Sequence, residues 1–187
     1  MTRIVAGSLG GRRITAPPGA GTRPTSDRVR EALFSAVQAE IDLDGARFAD
    51  LYAGSGAVGL EALSRGAAHV LLVESDPRAA RVIRENVAAL RVAPAARLVT
   101  GKVGTVLAAG PDGGPYDVVF ADPPYALPDE GVTAMLAALV DGGWLTPDAV
   151  VVVERSSRSG PVEWVEGVTG LRSRRYGETT LWYGRRS

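Results

Sequence analysis

The segment Asp50-Leu-Tyr-Ala-Gly-Ser-Gly-Ala-Val-Gly-Leu-Glu61 constrains this chain more than any other. It follows an apolar run at residues 47–52, which reads as a strand. It leads into a helical run at 60–65 that closes at Gly66. Gly54, Gly56 and Gly59 have the spacing G-x-G-x-x-G, and residues 70–74 read as a second strand of buried type. A strand, a glycine turn, a helix and a further strand in this order argue for parallel pairing through a crossover helix.

The rest of the chain keeps that rhythm. Asp76 caps a helix with Pro77 at its first position, running to about Leu90. Residues 97–100, 116–121 and 150–154 read as three more apolar strands, with a helix around 132–140 between the last two. Alternation at this spacing argues for a doubly wound α/β sheet with helices on both faces. Two short apolar runs near the C-terminus, 162–165 and 180–183, are expected to finish the sheet as an antiparallel pair. Ahead of the glycine unit, residues 3–15 read as a short hairpin or arm, followed by an irregular Pro/Gly linker. Thr25-Ser-Asp27 then offers an N-cap to an amphipathic helix reaching about Ile41. The expected division is a basic arm and helix over 1–41 and an α/β domain over 42–187.

Charge sharpens the reading. Residues 1–30 carry six Arg and one acid, 31–154 carry eight basic and seventeen acidic residues, and 155–187 carry seven Arg and three Glu. The termini are therefore basic around an acidic middle, which points to a polyanionic partner gripped at the ends. With no cysteine, thiolate metal sites and cysteine nucleophiles are excluded, and a single histidine, His69, excludes multi-histidine metal sites. No metal is expected. No uncharged run exceeds ten residues, well short of the ~18 a membrane helix needs, and the N-terminus lacks a signal-peptide core. A cytoplasmic monomer is the expectation.

Two motifs carry chemistry. The glycine loop, with Glu74 twenty residues after Gly54, suits a cofactor containing a nucleoside, the carboxylate meeting ribose hydroxyls. A dinucleotide would set its pyrophosphate near Asp50, which would repel it. S-adenosylmethionine carries an ammonium and a sulfonium that a carboxylate attracts, so Asp50 tilts the choice to that cofactor. The second motif is Asp122-Pro123-Pro124-Tyr125, placed directly after the strand 116–121. Ligands of doubly wound sheets sit outside the carboxyl ends of the strands. There, Asp122 and the Pro123 carbonyl would each accept one N–H of an exocyclic amino group on a planar base. That aims the nitrogen lone pair at a methyl donor, while Tyr125 stacks on the base.

These segments resemble the class I S-adenosylmethionine-dependent methyltransferases with an (Asp/Asn)-Pro-Pro-(Tyr/Phe) motif. The chain is more closely similar to the RsmD family, guanine-N2 methyltransferases of small-subunit (16S) ribosomal RNA. The resemblance rests on Arg3-Ile-Val-Ala-Gly7, Thr22-Arg-Pro-Thr-Ser-Asp-Arg-Val-Arg-Glu-Ala-Leu-Phe34, residues 50–66, Asp122 to Tyr125 and Arg175-Tyr-Gly-Glu-Thr-Thr-Leu181. It implies a Rossmann-like, seven-stranded, mostly parallel sheet with a short N-terminal hairpin. It implies that Asp50, Ala53, Gly54, Gly56, Glu74 and Ser75, with Asp122, hold S-adenosylmethionine, and that Asp122, Pro123, Pro124 and Tyr125 meet the guanine. Arg3, Arg12, Arg23 and Arg28 would face RNA. Where the family usually has an acidic residue after the third strand, this chain has Gly101-Lys102-Val103, so backbone groups of Lys102 and Val103 would read the adenine edge.

Two other functions fit part of the pattern. A DNA adenine-N6 methyltransferase shares the tetrapeptide, though 187 residues leave little room for a sequence-reading domain. A non-catalytic nucleotide-binding module would share only the glycine loop. His69 and the three tryptophans, Trp144, Trp164 and Trp182, read as edge and packing residues.

Overall fold

A computed structural model describes residues 2–17 and 26–187. The elements in order are β1 (Thr2–Arg3), β2 (Arg13–Ile14), α1 (Asp27–Glu40), β3 (Arg47–Leu51), α2 (Ala57–Ser64), β4 (His69–Glu74) and α3 (Pro77–Leu90). They continue as β5 (Ala96–Thr100), α4 (Val103–Ala109), β6 (Tyr116–Ala121), α5 (Asp129–Asp141), β7 (Leu145–Ser156), β8 (Val168–Tyr176) and β9 (Thr179–Arg186). Seven strands form one sheet in the order β5-β4-β3-β6-β7-β9-β8. The first five are parallel, and β9 runs antiparallel to both β7 and β8.

The inner parallel strands β3, β4 and β6 are buried on both faces because helices cover both, while the edge strand β5 is partly exposed. Along β7, Val150 and Val152 join one apolar cluster with Leu33, Phe34 and Leu60, while Val151 and Val153 join a second with Leu136, Leu139 and Trp144. Local chemistry sets the helix starts. Ser26 caps α1 by accepting from the Val29 amide, and Asp76 caps α3 by accepting from Arg78 with Pro77 following. The chain winds outward from β3 through β4 to β5, then returns to β6 on the other side of β3. That reversal opens a crevice above the carboxyl ends of β3 and β6.

The N-terminal arm lies against this body. Glu61 is fully buried and accepts from the Val5 and Ala6 amides at 2.8 and 3.0 Å. Ser64 Oγ accepts from Leu9 at 2.8 Å. A Cβ at Gly7 would lie 2.0 Å from the Ser64 carbonyl oxygen, so only glycine allows this approach. Asn86 binds Thr15 through both backbone groups and also donates to the Ser55 carbonyl of the glycine loop. Arg30, with no exposed side-chain surface, completes the joint with Asp27 at 2.8 Å and Glu61 at 3.9 Å.

The tail departs from the expected pairing. Residues 162–165 are not a strand. Val162, Trp164 and Val165 pack against the second apolar cluster instead, and the strand beside β9 is Val168–Tyr176. Its sequence hides it, since an edge strand exposed at residues 169–175 has no apolar alternation to show. The seven-residue helix α4 also lies outside the expected elements. No helix among the described residues is long and apolar enough to cross a membrane.

Candidate active site

The loops above β3, β4, β6 and β7 line one cavity of about 710 Å3. Its wall includes Asp50, Ala53, Gly54, Glu74, Ser75 and all four residues of the Asp122–Tyr125 tetrapeptide. Two motifs 72 residues apart in sequence thus face one space, because β3 and β6 are hydrogen-bonded neighbours paired Asp50↔Phe120 and Leu51↔Ala121.

On the glycine side, carboxylates shape the loop. Gly54 and Gly56 have φ of 60° and 82°, left-handed conformations that glycine adopts without penalty. The Gly54 amide donates to Glu74 Oε1 at 2.7 Å, and the Asp76 amide to Glu74 Oε2 at 2.8 Å. Each of those oxygens keeps a lone pair for a ligand hydroxyl. Asp50, 1% exposed, accepts from the Gly59 amide at 2.9 Å near the N-terminus of α2. Burial, with the nearby charges of Glu74 and Glu154, pushes the Asp50 carboxyl well above the usual range, and the Gly59 hydrogen bond works against this. A cationic ligand group placed beside Asp50 would relieve that cost, which is what an ammonium or sulfonium supplies.

On the tetrapeptide side the structure adds a residue that sequence reading missed. Ala121 pairs with Val153, so the next residues along, Asp122 and Glu154, lie side by side above the sheet. Glu154 is 5% exposed, lines the same cavity and hydrogen-bonds to Asp122. Burial, then the charges of Glu154 and Asp50, pushes the Asp122 carboxyl well above its ordinary range, and Arg155 pulls it back. Two adjoining carboxyls that share a hydrogen bond, one buried and one half-buried, disfavour a second negative charge on the pair. At the end of an unbroken valine run, Glu154 reads in sequence only as a strand terminus.

Arg155 fastens the loop. Its guanidinium donates to the Leu127 carbonyl at 3.0 Å and pairs with Asp129 at 3.4 Å, while the Leu127 amide closes a turn onto the Pro124 carbonyl at 2.9 Å. Pro123 is buried, whereas Tyr125 is 59% exposed, a ring available for stacking at the cavity mouth.

Other expected residues lie elsewhere. Lys102 is exposed at the N-cap of α4 and Val103 is buried in the second cluster, and neither lines the cavity, though the Gly101 amide beside them donates to the Glu74 carbonyl. Arg3 pairs with Asp27 at 3.4 Å and Arg12 donates to the Ala89 carbonyl at 3.0 Å. Arg28 is exposed in the first turn of α1. Arg23 falls outside the described residues. His69 opens β4 and meets the Tyr116 hydroxyl at 3.2 Å.

Residues 2–185 match the model of the family described as conserved hypothetical protein 95. The chain is 40% identical over 168 residues to ribosomal RNA small subunit methyltransferase D of Escherichia coli (strain K12), covering 87% of this chain and 80% of that protein. It belongs to the RsmD family. The putative rRNA methyltransferase YlbH of Bacillus subtilis is 33% identical to this RsmD-family chain over 95% of each. Among solved structures, the putative methyltransferase yhhF from Escherichia coli matches with a TM-score of 0.83 at 34% identity, covering 99% of this chain and 97% of that one. The fold extends beyond the RsmD family. Magnesium protoporphyrin IX methyltransferase from Synechocystis PCC 6803, solved with bound SAM, matches with a TM-score of 0.65 at 14% identity, over 90% and 87% of the two chains.

Proposed function

We propose that this chain transfers a methyl group from S-adenosylmethionine to the exocyclic N2 amino group of a guanine in small-subunit (16S) ribosomal RNA. The observation that carries the reading is the meeting of Asp122-Pro123-Pro124-Tyr125 with the Asp50, Gly54 and Glu74 loop around one cavity. S-adenosylmethionine supplies the electrophilic methyl group when bound. Asp50 and Glu74 give that ligand a negative wall, and the Glu74 oxygens accept from ribose hydroxyls.

Asp122 and the Pro123 carbonyl accept the two N–H groups of the guanine amine, which turns its delocalised lone pair toward the methyl carbon. The rigid Pro-Pro turn, held through Arg155 and Leu127, keeps both acceptors in place. Tyr125 stacks on the base, worth about 1–3 kcal/mol. As N2 bonds to the methyl carbon, the donor's carbon–sulfur bond would break with its electron pair left on sulfur as a neutral thioether, and the proton that N2 loses would pass to the Asp122–Glu154 pair. The base must leave its stack to reach this depth, so a loop nucleotide is the substrate. Arg28 is offered to the RNA backbone beside the arm, and Arg3 and Arg12 hold the arm's shape as well as its charge. The reading places the protein in the cytoplasm, as a monomer.

The test is transfer of labelled methyl groups to small subunits from cells lacking this enzyme, followed by nucleoside mass spectrometry. The expected product is N2-methylguanosine, with Asp122→Ala lowering the rate by about 100-fold or more while the melting temperature holds. Label recovered on adenine in DNA, or full activity in the Asp122 variant, would overturn the assignment.

A further inference from the structure

The row of residues holding Asp122 and Glu154 does not end at the cavity. Glu154 pairs with Leu181 of β9, and Leu181 pairs with Arg174 of β8. Directly paired residues point to the same face of a sheet, so Glu154, Leu181 and Arg174 form one line. Two strand spacings separate Arg174 from Glu154, about 10 Å. Arg175, next along β8, is turned to the other face, and its Nε donates to the Gly177 carbonyl at 2.9 Å, which holds the guanidinium at the hairpin turn. Ser156 pairs with Thr179 at the level of that turn, and Arg158 is exposed just beyond. Every residue from 169 to 175 is exposed, β8 itself contains no acid, and the one acid of the hairpin is Glu178 in its turn. Arg172 belongs to the scaffold, pairing with Glu40 at 3.5 Å and lying over the Tyr183 ring. Arg174, Arg175 and Arg158 present their charge outward at the same end of the sheet as the tetrapeptide.

We propose that the β8–β9 hairpin, through Arg174, Arg175 and Arg158, is a second phosphate-binding surface that grips the substrate RNA backbone beside the flipped base. The proposal rests on the ribosomal RNA reading and deepens it. Planar guanidinium forks suit phosphate oxygens, and a surface one or two side-chain lengths from the cavity holds the strand entering it. It also accounts for the basic C-terminal segment, which the N-terminal arm leaves unexplained. With the arm on one side and the hairpin on the other, the mouth of the cavity is flanked by positive charge, while its floor is acidic and keeps phosphate out.

The experiment compares wild type, Arg174→Gln/Arg175→Gln and the control Arg81→Gln, which removes one exposed charge from α3, the helix packed on β5 at the opposite edge of the sheet from β8. Three quantities are measured: affinity for S-adenosylmethionine, kcat and KM on undermethylated small subunits, and affinity for protein-free RNA against salt. The double variant is expected to raise KM about tenfold, with its loss in KM rather than kcat. The slope of log affinity against log salt should shrink by about 1.5, as for two lost phosphate contacts. Cofactor affinity should hold, and the control should match wild type. Unchanged KM and salt slope in an active double variant would overturn the hairpin surface while leaving the function intact. Weaker binding to the particle with unchanged RNA affinity would also overturn it, assigning the β8 edge to a protein strand. A wild type inactive on RNA would instead overturn the function, which the same assay separates.

Discussion

Replacing Gly59 with alanine adds one methyl group at a close contact between α2 and the sheet. The new Cβ would lie 2.5 Å from Leu72 Cδ2 and 2.8 Å from Val70 Cγ1, with Asp50 Cβ at 3.2 Å. Val70 and Leu72 have no exposed surface, so neither side chain has free space to move into. Alanine favours the helix by about 1 kcal/mol over glycine, whereas overpacking a tight core costs about 1–3 kcal/mol. Pushing α2 off the sheet also stretches the 2.9 Å bond from the Gly59 amide to Asp50. A buried carboxylate deprived of its donor costs about 1–3 kcal/mol more. The net is a loss of about 1–5 kcal/mol, or about 2–20 °C in Tm for a chain this long. Gly54→Ala is the contrast, because its Cβ meets nothing within 4 Å and faces the cavity. It pays only the left-handed strain at φ of 60°, about 1 kcal/mol. Urea denaturation alongside cofactor titration should therefore separate the two, Gly59→Ala failing in stability and Gly54→Ala in cofactor binding. If Gly59→Ala were as stable as wild type, the packing argument for the third glycine would be wrong.

Three further outcomes follow from the charges. Asp50 has a raised carboxyl pKa in the fold, so its contribution to stability is present below the ordinary carboxylate pKa and is lost as pH rises through the raised value. Thermal melts of cofactor-free protein should show Asp50→Asn more stable than wild type at neutral pH, since Asn still accepts from Gly59, with weaker cofactor binding; a less stable variant would refute this. Glu154→Gln removes a charge that raises Asp122, so the acid limb of the kcat/KM profile should move to lower pH, and an unmoved limb would remove Glu154 from the site chemistry. Glu61→Ala strips Arg65 and the Val5 and Ala6 amides of their acceptor and takes a counter-charge from the buried Arg30, and should cost about 3–5 kcal/mol. Hydrogen exchange at Val5 and Ala6 should accelerate first, and unchanged protection there would show that the arm is held by other contacts.

Much of the site was legible because each motif is local. A strand–glycine–helix turn and a polar tetrapeptide at a strand end announce themselves through backbone needs that neighbouring residues must meet. The carboxylates Asp50 and Glu74 stand within or one strand beyond the glycine loop, so spacing alone marked them. The same logic capped α1 with Ser26 and α3 with Asp76. Glu154 had no such signal. Its place beside Asp122 follows from the register of β6 against β7, a relation between strands about thirty residues apart that no local pattern encodes.

The arm and the tail show the same division. Patterning alone marked residues 3–15 as an arm with turns, yet its attachment depends on Glu61, Ser64 and Asn86, polar residues on α2 and α3 that any solvated helix face would also carry. Apolar alternation drew attention to residues 162–165, while the strand that forms, Val168–Tyr176, is held by pairing with β9 rather than by a buried face. Local periodicity and turn chemistry determined a doubly wound α/β sheet with its glycine loop and strand-end tetrapeptide, because hydrophobic period and turn chemistry act over a few residues, and the resemblance of those motifs to a family carried the methyltransferase reading. Which acid stands next to Asp122, what holds the arm, and where the C-terminal arginines point were decided only by tertiary structure, because strand order and register bring together groups the chain keeps far apart.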